Sequence, residues 1–247
     1  MNEVSKIEYK AIDQVGSDTL DVISDATKFN RWMYETIKPH CKGKILEIGS
    51  GVGNISQFFL DDGATIVLSD IRQVYCDRLE DKFKDQKTLE GIRVIDLTDP
   101  DFDHKFADLL GTFDTVFALN VVEHIYDDNL ALSNARKLLK EGGSSVILVP
   151  SYQALYNVLD KNLDHYRRYN KKSLSELFVK SNYKITHKQY FNFMGIFAWF
   201  ISGKLQGDEN IPGGKMRLYN ALVPLFKIID ACVFRLWGLS TIVVGKK

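Results

Sequence analysis

The stretch that decides the fold is ILEIGSGVGN, Ile45–Asn54, together with the apolar run TIVLSD, Thr65–Asp70. The first residues of the motif are β-prone and mostly apolar, as in a buried strand. The glycines that follow allow a tight turn and a close approach to a ligand, because they carry no Cβ. A strand, a glycine-rich turn and a second strand ending in Asp70 indicate a site for a nucleoside-containing ligand.

A helix is predicted to follow the glycines over Asn54–Leu60, where its free N–H groups would face an anionic group. The spacing of the glycines separates two ligand classes, since a dinucleotide fingerprint has glycine at its first, third and sixth positions. Here Gly49, Gly51 and Gly53 occupy the first, third and fifth positions. The strand also carries a carboxylate, Glu47, two residues before the first glycine.

This run resembles motif I of the class I S-adenosylmethionine (SAM)-dependent methyltransferases, and the resemblance extends from Ile45 to about Tyr169. It implies that the glycine loop packs against the methionyl part of SAM and that Asp70 binds the ribose hydroxyls. It also places Asp96 and Leu97 near the adenine, although Asp96 could instead cap a loop. The cofactor-binding residues expected from the resemblance are Glu47, Gly49, Ser50, Gly51, Gly53, Asn54, Asp70, Ile71, Asp96, Leu97, Asn120 and Val121.

Apolar, β-rich runs alternate with helical stretches along the chain, which predicts an α/β fold. The expected architecture is a Rossmann-like, doubly wound, seven-stranded sheet that is mostly parallel, and the resemblance implies a terminal antiparallel hairpin. A helix is predicted over Asp127–Leu139 and a turn over Lys140–Gly143. The predicted strands are Lys44–Gly49, Thr65–Asp70, Ile92–Leu97, Phe113–Asn120, Ser144–Pro150, Tyr183–Phe191 and Ser240–Gly245.

We expect a single domain over residues 1–247, with a helical cap over about 1–43 and a helical insertion over about 192–239. In the cap, Trp32 or Tyr34 either closes the ligand pocket or packs in the core. The insertion is rich in aromatic residues. Its apolar face is expected to pack on the core; the alternatives are an acceptor tunnel, a dimer interface or shallow contact with a membrane.

The segment NVVEH, Asn120–His124, follows the fourth predicted strand and resembles a segment of small-molecule methyltransferases in which Glu123 and His124 face the catalytic cleft or brace its loop. Histidine accepts protons near neutral pH, so His124 is a candidate catalytic residue. A structural hydrogen-bonding role is the alternative. A dedicated base is not required, because the sulfonium is already activated and positioning supplies much of the acceleration.

The most unusual local sequence is DKNLDHYRRY, Asp160–Tyr169. Arginine binds phosphate or carboxylate through two hydrogen bonds, and tyrosine faces suit sugar or aromatic rings. A lid held by salt bridges such as Asp160 with Arg167 is the alternative. The candidate acceptor-binding residues are Tyr152, His165, Tyr166, Arg167 and Arg168, with His165 also a candidate catalytic residue.

Together with Pro150, Leu155 and Tyr156, this segment resembles a bacterial subgroup associated with surface-glycan or lipid-linked sugar pathways. The leading hypothesis is a SAM-dependent methyltransferase acting on an oxygen or nitrogen of a small-molecule acceptor, such as a sugar or a lipid-linked intermediate. One alternative is a non-catalytic SAM-binding partner subunit. A nicotinamide-dependent oxidoreductase is the other, and the glycine spacing disfavours it.

Composition limits the partners. The formal net charge of the 247 residues is zero, so we expect no nucleic-acid partner. The three cysteines lack paired spacing, which predicts a reducing compartment, the cytoplasm. The histidines are dispersed, so we expect no metal site. The N-terminus lacks the apolar core of a signal peptide, and the apolar run Phe193–Ile201 is too short to span a bilayer. Peripheral membrane contact and a homo-oligomer remain open.

Overall fold

The strand predicted from the opening motif lies near the centre of a seven-stranded sheet in the computed structural model, which describes residues 14–247. The strand order is β3-β2-β1-β4-β5-β7-β6. The first five strands in that order are parallel, and β7 runs antiparallel to both of its neighbours. The predicted fold class is therefore confirmed. The strands are β1 Ile45–Ile48, β2 Ile66–Asp70, β3 Leu89–Val94, β4 Phe113–Leu119, β5 Leu139–Pro150, β6 Lys184–Phe191 and β7 Ser240–Lys246.

Helices cover both faces of the sheet, which is why the central strands are buried along their whole length. Alternate residues of β1 enter opposite core layers: Leu46 and Ile48 pack on one side, whereas Ile45 packs on the other. The helices are α1 Gln14–Ser24, α2 Thr27–Ile37, α3 Ser56–Asp61, α4 Gln73–Phe83, α5 Phe102–Lys105, α6 Asp128–Leu138, α7 Val158–Asn162, α8 Lys171–Lys180, α9 Phe193–Trp199 and α10 Gly213–Cys232.

The helix after the glycine loop begins later than predicted. Gly53 has a φ of +76°, and its amide donates to the Ser50 carbonyl at 2.8 Å, so the turn continues past Asn54. Helix α3 therefore begins only at Ser56 and has six residues. A helix of this length offers little dipole to an anion, and the loop itself forms the site.

Two strand boundaries also differ from the prediction. Strand β3 runs over Leu89–Val94 instead of Ile92–Leu97, because Asp96 accepts a hydrogen bond from the Thr98 amide at 2.7 Å in a turn that ends the strand. The predicted turn Lys140–Gly143 instead lies within β5. There the register with β4 shifts, and the irregularity accommodates the glycines without breaking the strand.

The aromatic residues of α2 pack in the core. Trp32 and Tyr34 are 6% and 3% exposed, and the Trp32 ring lies 4.5 Å from the ring of Phe191. Neither lines the ligand cavity, so of the two roles considered for them, core packing is the one observed. The part of the predicted cap before residue 14 lies outside the described residues.

Between β6 and β7 the chain forms α9, one π-helical turn over Phe200–Leu205, and α10. The side chain of Asp230 joins the two helices, since it accepts a hydrogen bond from the Phe193 amide at 2.7 Å. None of the helices within residues 14–247 combines the length and apolar character needed to cross a bilayer.

Candidate active site

A cavity of about 1010 Å³ lies beyond the carboxyl ends of the parallel strands. This is the edge at which open α/β sheets bind their ligands. The structure brings most of the predicted site residues to its walls, although they come from distant parts of the chain. The predicted residues that line it are Glu47, Gly49, Ser50, Gly51, Asn54, Asp70, Ile71, Asp96, Leu97, Asn120, Val121, His124, His165, Tyr166 and Arg168.

The glycine loop requires its glycines for two different reasons. Gly49 has a φ of +72°, and a Cβ there would lie 2.4 Å from Cγ2 of Val121. Gly53 is absent from the cavity wall, and a Cβ there would lie 2.5 Å from the ring of Phe83 in α4. The structure thus places Gly53 outside the cavity lining, where the lack of a Cβ allows the loop to pack on α4.

Asp70 closes β2, and backbone donors hold its side chain in place. One carboxylate oxygen accepts from the Gly51 amide and the other from the Arg72 amide, both at 3.0 Å. Burial raises the pKa of Asp70, and these hydrogen bonds favour its ionised form. The result is a fixed acceptor group beside the glycine loop, suited to ligand hydroxyls.

Glu47 lies on the floor of the cavity and is 4% exposed. Burial raises its pKa to about 7, even though the hydroxyls of Ser56 and Ser50 hydrogen-bond to the carboxylate. A buried carboxylate of this kind ionises readily when a cationic ligand group approaches.

The chain after β4 adopts an unusual backbone. Asn120 has a φ of +54°, a conformation that asparagine tolerates better than most residues, and it lines the cavity. Glu123 is fully buried, and neither of its carboxylate oxygens has a hydrogen-bond partner in the described part of the chain. Burial raises the pKa of Glu123 to about 7. Burial, His165 and Arg72 lower the pKa of His124 to about 3.

A buried ion pair orients His165. Asp160 is fully buried; its Oδ1 accepts from His165 Nδ1 at 2.9 Å and from Arg168 Nε at 2.7 Å. Burial alone would raise the pKa of Asp160, but these hydrogen bonds hold it below its ordinary value. Arg168 also donates to the Ser151 carbonyl at 3.0 Å, which anchors the pair to the end of β5.

The fold brings together two histidines that are dispersed in the sequence. The rings of His124 and His165 meet edge to face with centroids 4.6 Å apart. One potential ligand atom from each histidine and one from Glu123 lie within 4.8 Å of one another. Spacing along the chain gives no signal for this group, because the segments that carry it are joined only by tertiary contacts such as the hydrogen bond from the Tyr166 amide to the Glu123 carbonyl, 2.8 Å long.

Comparison with known proteins identifies the fold that carries this site. The family model described as a methyltransferase domain matches residues 46–145. The fold is that of a SAM-dependent methyltransferase. Among solved structures, the CurJ carbon methyltransferase has a TM-score of 0.56 and 16% identity, over 90% of this chain and 53% of that chain. Phosphoethanolamine N-methyltransferase 2 of Haemonchus contortus, solved with SAM, has a TM-score of 0.57 and 16% identity. This match covers 88% of this chain and 52% of that chain.

A curated relative gives a similar result. The highly reducing polyketide synthase otaA of Aspergillus niger is 29% identical over 120 residues, which is 42% of this chain. The match covers only 5% of the synthase, so the chain corresponds to a small part of that protein. The domain match supports a methyltransferase domain over residues 46–145, and the solved structures share its fold.

Two residues predicted to bind the acceptor do not line the cavity of the methyltransferase fold. Arg167 pairs with Asp128 at 2.9 Å and donates to the Tyr126 carbonyl at 2.7 Å, so it clamps the loop from outside. Tyr152 packs against Tyr190, with ring centroids 5.2 Å apart. The salt bridge proposed between Asp160 and Arg167 is also wrong, since Arg168 is the partner of Asp160.

The insertion supplies a wall of the cavity that sequence reasoning did not resolve into residues. Asn192 has a φ of +70° and accepts from the Gly195 amide and the Tyr219 hydroxyl. Trp199 stacks on the guanidinium of Arg168, 4.7 Å from its ring centroid. The aromatic composition of the insertion was a signal for this wall. The cavity-lining residues of the insertion include Asn192, Gly195, Ala198, Trp199, Ile201, Ser202, Lys215, Met216, Leu218, Tyr219 and Leu222.

Proposed function

We propose that this chain transfers the methyl group of SAM to an oxygen or nitrogen of a small acceptor with an apolar portion, such as a sugar carried on a lipid. The observation that carries the proposal is the continuity of the cavity. One wall holds the glycine loop and Asp70, and the same cavity is lined by His124, His165 and the insertion. A volume of about 1010 Å³ is at the upper end of the range for small-molecule sites, which leaves room for a second ligand beside SAM.

The apolar portion of the acceptor is proposed from the insertion. Ile201, Leu218 and Leu222 line the cavity and are also 45%, 64% and 39% exposed, so an apolar surface continues from the cavity to solvent. A chain of methylene groups laid along this surface would be removed from water at about 25 cal/mol per Å². The resemblance of the segment Asp160–Tyr169 to glycan-associated proteins is a second support for a sugar-containing acceptor.

In the proposed reaction the acceptor atom forms a bond to the methyl carbon as the C–S bond of SAM breaks, which leaves S-adenosylhomocysteine. The proton of the acceptor passes to His165, because burial lowers the pKa of His124 to about 3 and makes that ring a weak base. Asp160 holds His165 through Nδ1, so its Nε2 is the atom available to the acceptor.

Carbon is a second candidate for the methylated atom. The CurJ structure is titled as a carbon methyltransferase, and otaA is a polyketide synthase. A buried glutamate beside two histidines also suits the removal of a proton from carbon next to a carbonyl group.

The test uses the full chain with methyl-labelled SAM and three probes: octyl glucoside, glucose, and an N-acetylcysteamine β-ketothioester. We expect S-adenosylhomocysteine to form with octyl glucoside and to exceed the amount formed with glucose. A labelled methyl group bonded to the α-carbon of the thioester product would support carbon methylation instead. SAM binding without turnover until a second protein chain is added would support the partner-subunit alternative, and the absence of SAM binding would refute the proposal altogether.

Asp70→Ala provides the matched test of the cofactor site. Loss of a charge-assisted acceptor costs roughly 1.5–3 kcal/mol, so SAM affinity should fall about tenfold or more in calorimetry. Asp61→Ala, on the exposed end of α3, is the control and should bind SAM as the wild type does. Unchanged affinity in Asp70→Ala would remove the ribose role of this residue.

A further inference from the structure

Glu123 is the least satisfied buried group in the site. It is fully buried, and both carboxylate oxygens lack a hydrogen-bond partner within residues 14–247. Its neighbour Asp160, also fully buried, accepts hydrogen bonds from a histidine and an arginine. Burial of a carboxylate without donors is costly, and native proteins compensate such groups with a cation, a donor or a metal ion. The side chain therefore points to a positively charged ligand.

Two histidines stand beside it, and each has one ring nitrogen that could bind such a ligand. His165 hydrogen-bonds to Asp160 through Nδ1, which leaves Nε2 on the side of the ring away from Asp160. A histidine held in this way by a buried carboxylate is the usual second layer of a metal site, where the carboxylate fixes the tautomer and strengthens the nitrogen as a ligand. The ring of His124 contacts that of His165 and hydrogen-bonds to the backbone of Leu163, so its other nitrogen is the second one available.

The three side chains are close enough to share one ion. One ligand atom from each of Glu123, His124 and His165 lies within 4.8 Å of the other two. Bonds of about 2.0–2.2 Å to a shared ion separate neighbouring ligand atoms by about 3–4 Å, so a contraction of about 1 Å would complete the set. The backbone hydrogen bond from Tyr166 to Glu123 already holds the two segments together.

We infer that Glu123, His124 and His165 bind a divalent first-row transition-metal ion such as Zn²⁺, Co²⁺ or Mn²⁺. Two imidazole nitrogens and one carboxylate match these ions, whereas Mg²⁺ and Ca²⁺ prefer sites made of oxygen. All three residues line the cavity, so the remaining coordination positions are open to water or to an acceptor oxygen. Three protein ligands with an open position are characteristic of reactive metal sites rather than structural ones.

The binding of the ion is independent of the proposed function. With the ion bound, Nε2 of His165 is a ligand instead of the base, and the role of the ion in orienting an acceptor oxygen and promoting loss of its proton rests on the proposed function. The competing explanation is a proton relay, in which Glu123 hydrogen-bonds directly to a histidine after a small side-chain rotation. A relay requires no ion. The two explanations can therefore be distinguished without any acceptor: the metal site predicts that the protein binds an ion, whereas the relay does not.

The experiment titrates the full-length, EDTA-treated chain with Co²⁺ and follows the visible d–d absorption, with Zn²⁺ calorimetry in parallel. We expect one ion per chain. Glu123→Gln and His165→Gln should lower the affinity at least tenfold, and Asp160→Asn should lower it about 10–100-fold by releasing the ring of His165. His104→Gln is the matched control, because His104 is 89% exposed and lies outside the site; it should bind as the wild type does.

Folding of the variants is checked by circular dichroism. If a variant does not fold, the proton NMR spectrum of the Co²⁺-bound wild type still tests the inference. Co²⁺ bound at this site should shift the ring proton resonances of two histidines far outside the diamagnetic range. No stoichiometric Co²⁺ or Zn²⁺ binding, or equal binding by the wild type, Glu123→Gln and His165→Gln, would overturn the inference and favour the relay. SAM binding measured on the same samples separates this failure from failure of the proposed function.

Discussion

Three buried carboxylates line the cavity, and each is compensated differently. Asp70 accepts from two backbone amides, and Glu47 accepts from serine hydroxyls. Glu123 has no hydrogen-bond donor within the described residues. Because the cost of a buried charge depends on its donors, these groups are suited to different ligands: hydroxyls at Asp70, a cationic group at Glu47 and an ion or proton at Glu123.

The raised pKa of Glu47 predicts a pH dependence of stability. Its pKa rises from 4.5 to about 7 on folding because of burial, so the folded state binds more protons between these values. The contribution of Glu47 to the free energy of unfolding is therefore fully present below pH 4.5. It is lost as the pH rises through 7, and the loss is about 3 kcal/mol. Urea unfolding between pH 5 and pH 8 should show a smaller loss in Glu47→Gln than in the wild type.

The control for this measurement is Glu176→Gln, a substitution at an exposed position of α8. It should retain the pH profile of the wild type. Burial also raises the pKa of Glu123, so Glu47→Gln should retain part of the loss. A profile in Glu47→Gln that is as steep as that of the wild type would show that Glu47 does not contribute to it.

Arg167 and Arg168 are adjacent in the sequence, but we expect opposite outcomes from their removal. Arg168→Ala leaves Asp160 buried without its cation and should cost about 3–5 kcal/mol in unfolding free energy. Arg167→Ala breaks a partly exposed pair with Asp128 and should cost at most about 1 kcal/mol. Thermal denaturation of both variants measures the difference, and similar losses would contradict the assignment of Arg168 as the partner of Asp160.

At the scale of elements, the strands whose ends form the site are those with the strongest sequence signals. β1 and β2 are buried along their whole length, so they must be apolar, and the pattern is visible in the sequence. β3 lies at the edge of the sheet and is largely exposed or half-buried, so its residues can be polar. Its boundary was misplaced for that reason.

The contact between the glycine loop and α4 can be tested at Gly53. A Cβ there would lie 2.5 Å from the ring of Phe83, and the residue has a φ of +76°. Gly53→Ala should combine backbone strain of about 1–2 kcal/mol with overpacking of about 1–3 kcal/mol. Urea unfolding should therefore show a loss of about 2–5 kcal/mol.

Gly63→Ala is a matched control for the backbone strain alone. Gly63 has a φ of +73°, and a Cβ there would meet no atom within 4 Å. Its substitution should cost only about 1–2 kcal/mol. Equal losses at the two positions would show that contact with Phe83 does not restrict Gly53.

At the scale of the whole molecule, the insertion between β6 and β7 converts an open cleft into a cavity with an apolar wall. Substitutions at two exposed residues of α10 can distinguish the cavity wall from the rest of the apolar surface of this helix. Leu218 is 64% exposed and lines the cavity, whereas Ile228 is 62% exposed and does not. Their similar exposure makes them a matched pair.

Leu218→Glu should lower kcat/KM for octyl glucoside about tenfold or more, because a charge would lie on the path of the alkyl chain. SAM affinity should not change, since the glycine loop and Asp70 are untouched. Ile228→Glu should leave both quantities near their wild-type values. Equal losses of kcat/KM in the two variants would show that the acceptor does not use this wall.

The sequence by itself predicted the sheet, and its resemblance implied the hairpin; most of the residues predicted for the SAM site line one cavity. That part was predictable because the signals are local: a glycine spacing follows one strand, and polar residues follow the ends of others. Parallel strands bring their carboxyl ends to one edge, so residues such as Asp70 and Asn120 meet without further information.

Only the tertiary structure decided the partners of Asp160, the place of Arg167 and the meeting of Glu123 with two histidines. These contacts join segments that are far apart in the chain, and side-chain direction in loops follows no period that a sequence displays. Neighbouring arginines can therefore differ as much as Arg167 and Arg168 do, one partly exposed and one buried. The identities of the residues were visible in the sequence, but the grouping that makes them a site came from packing.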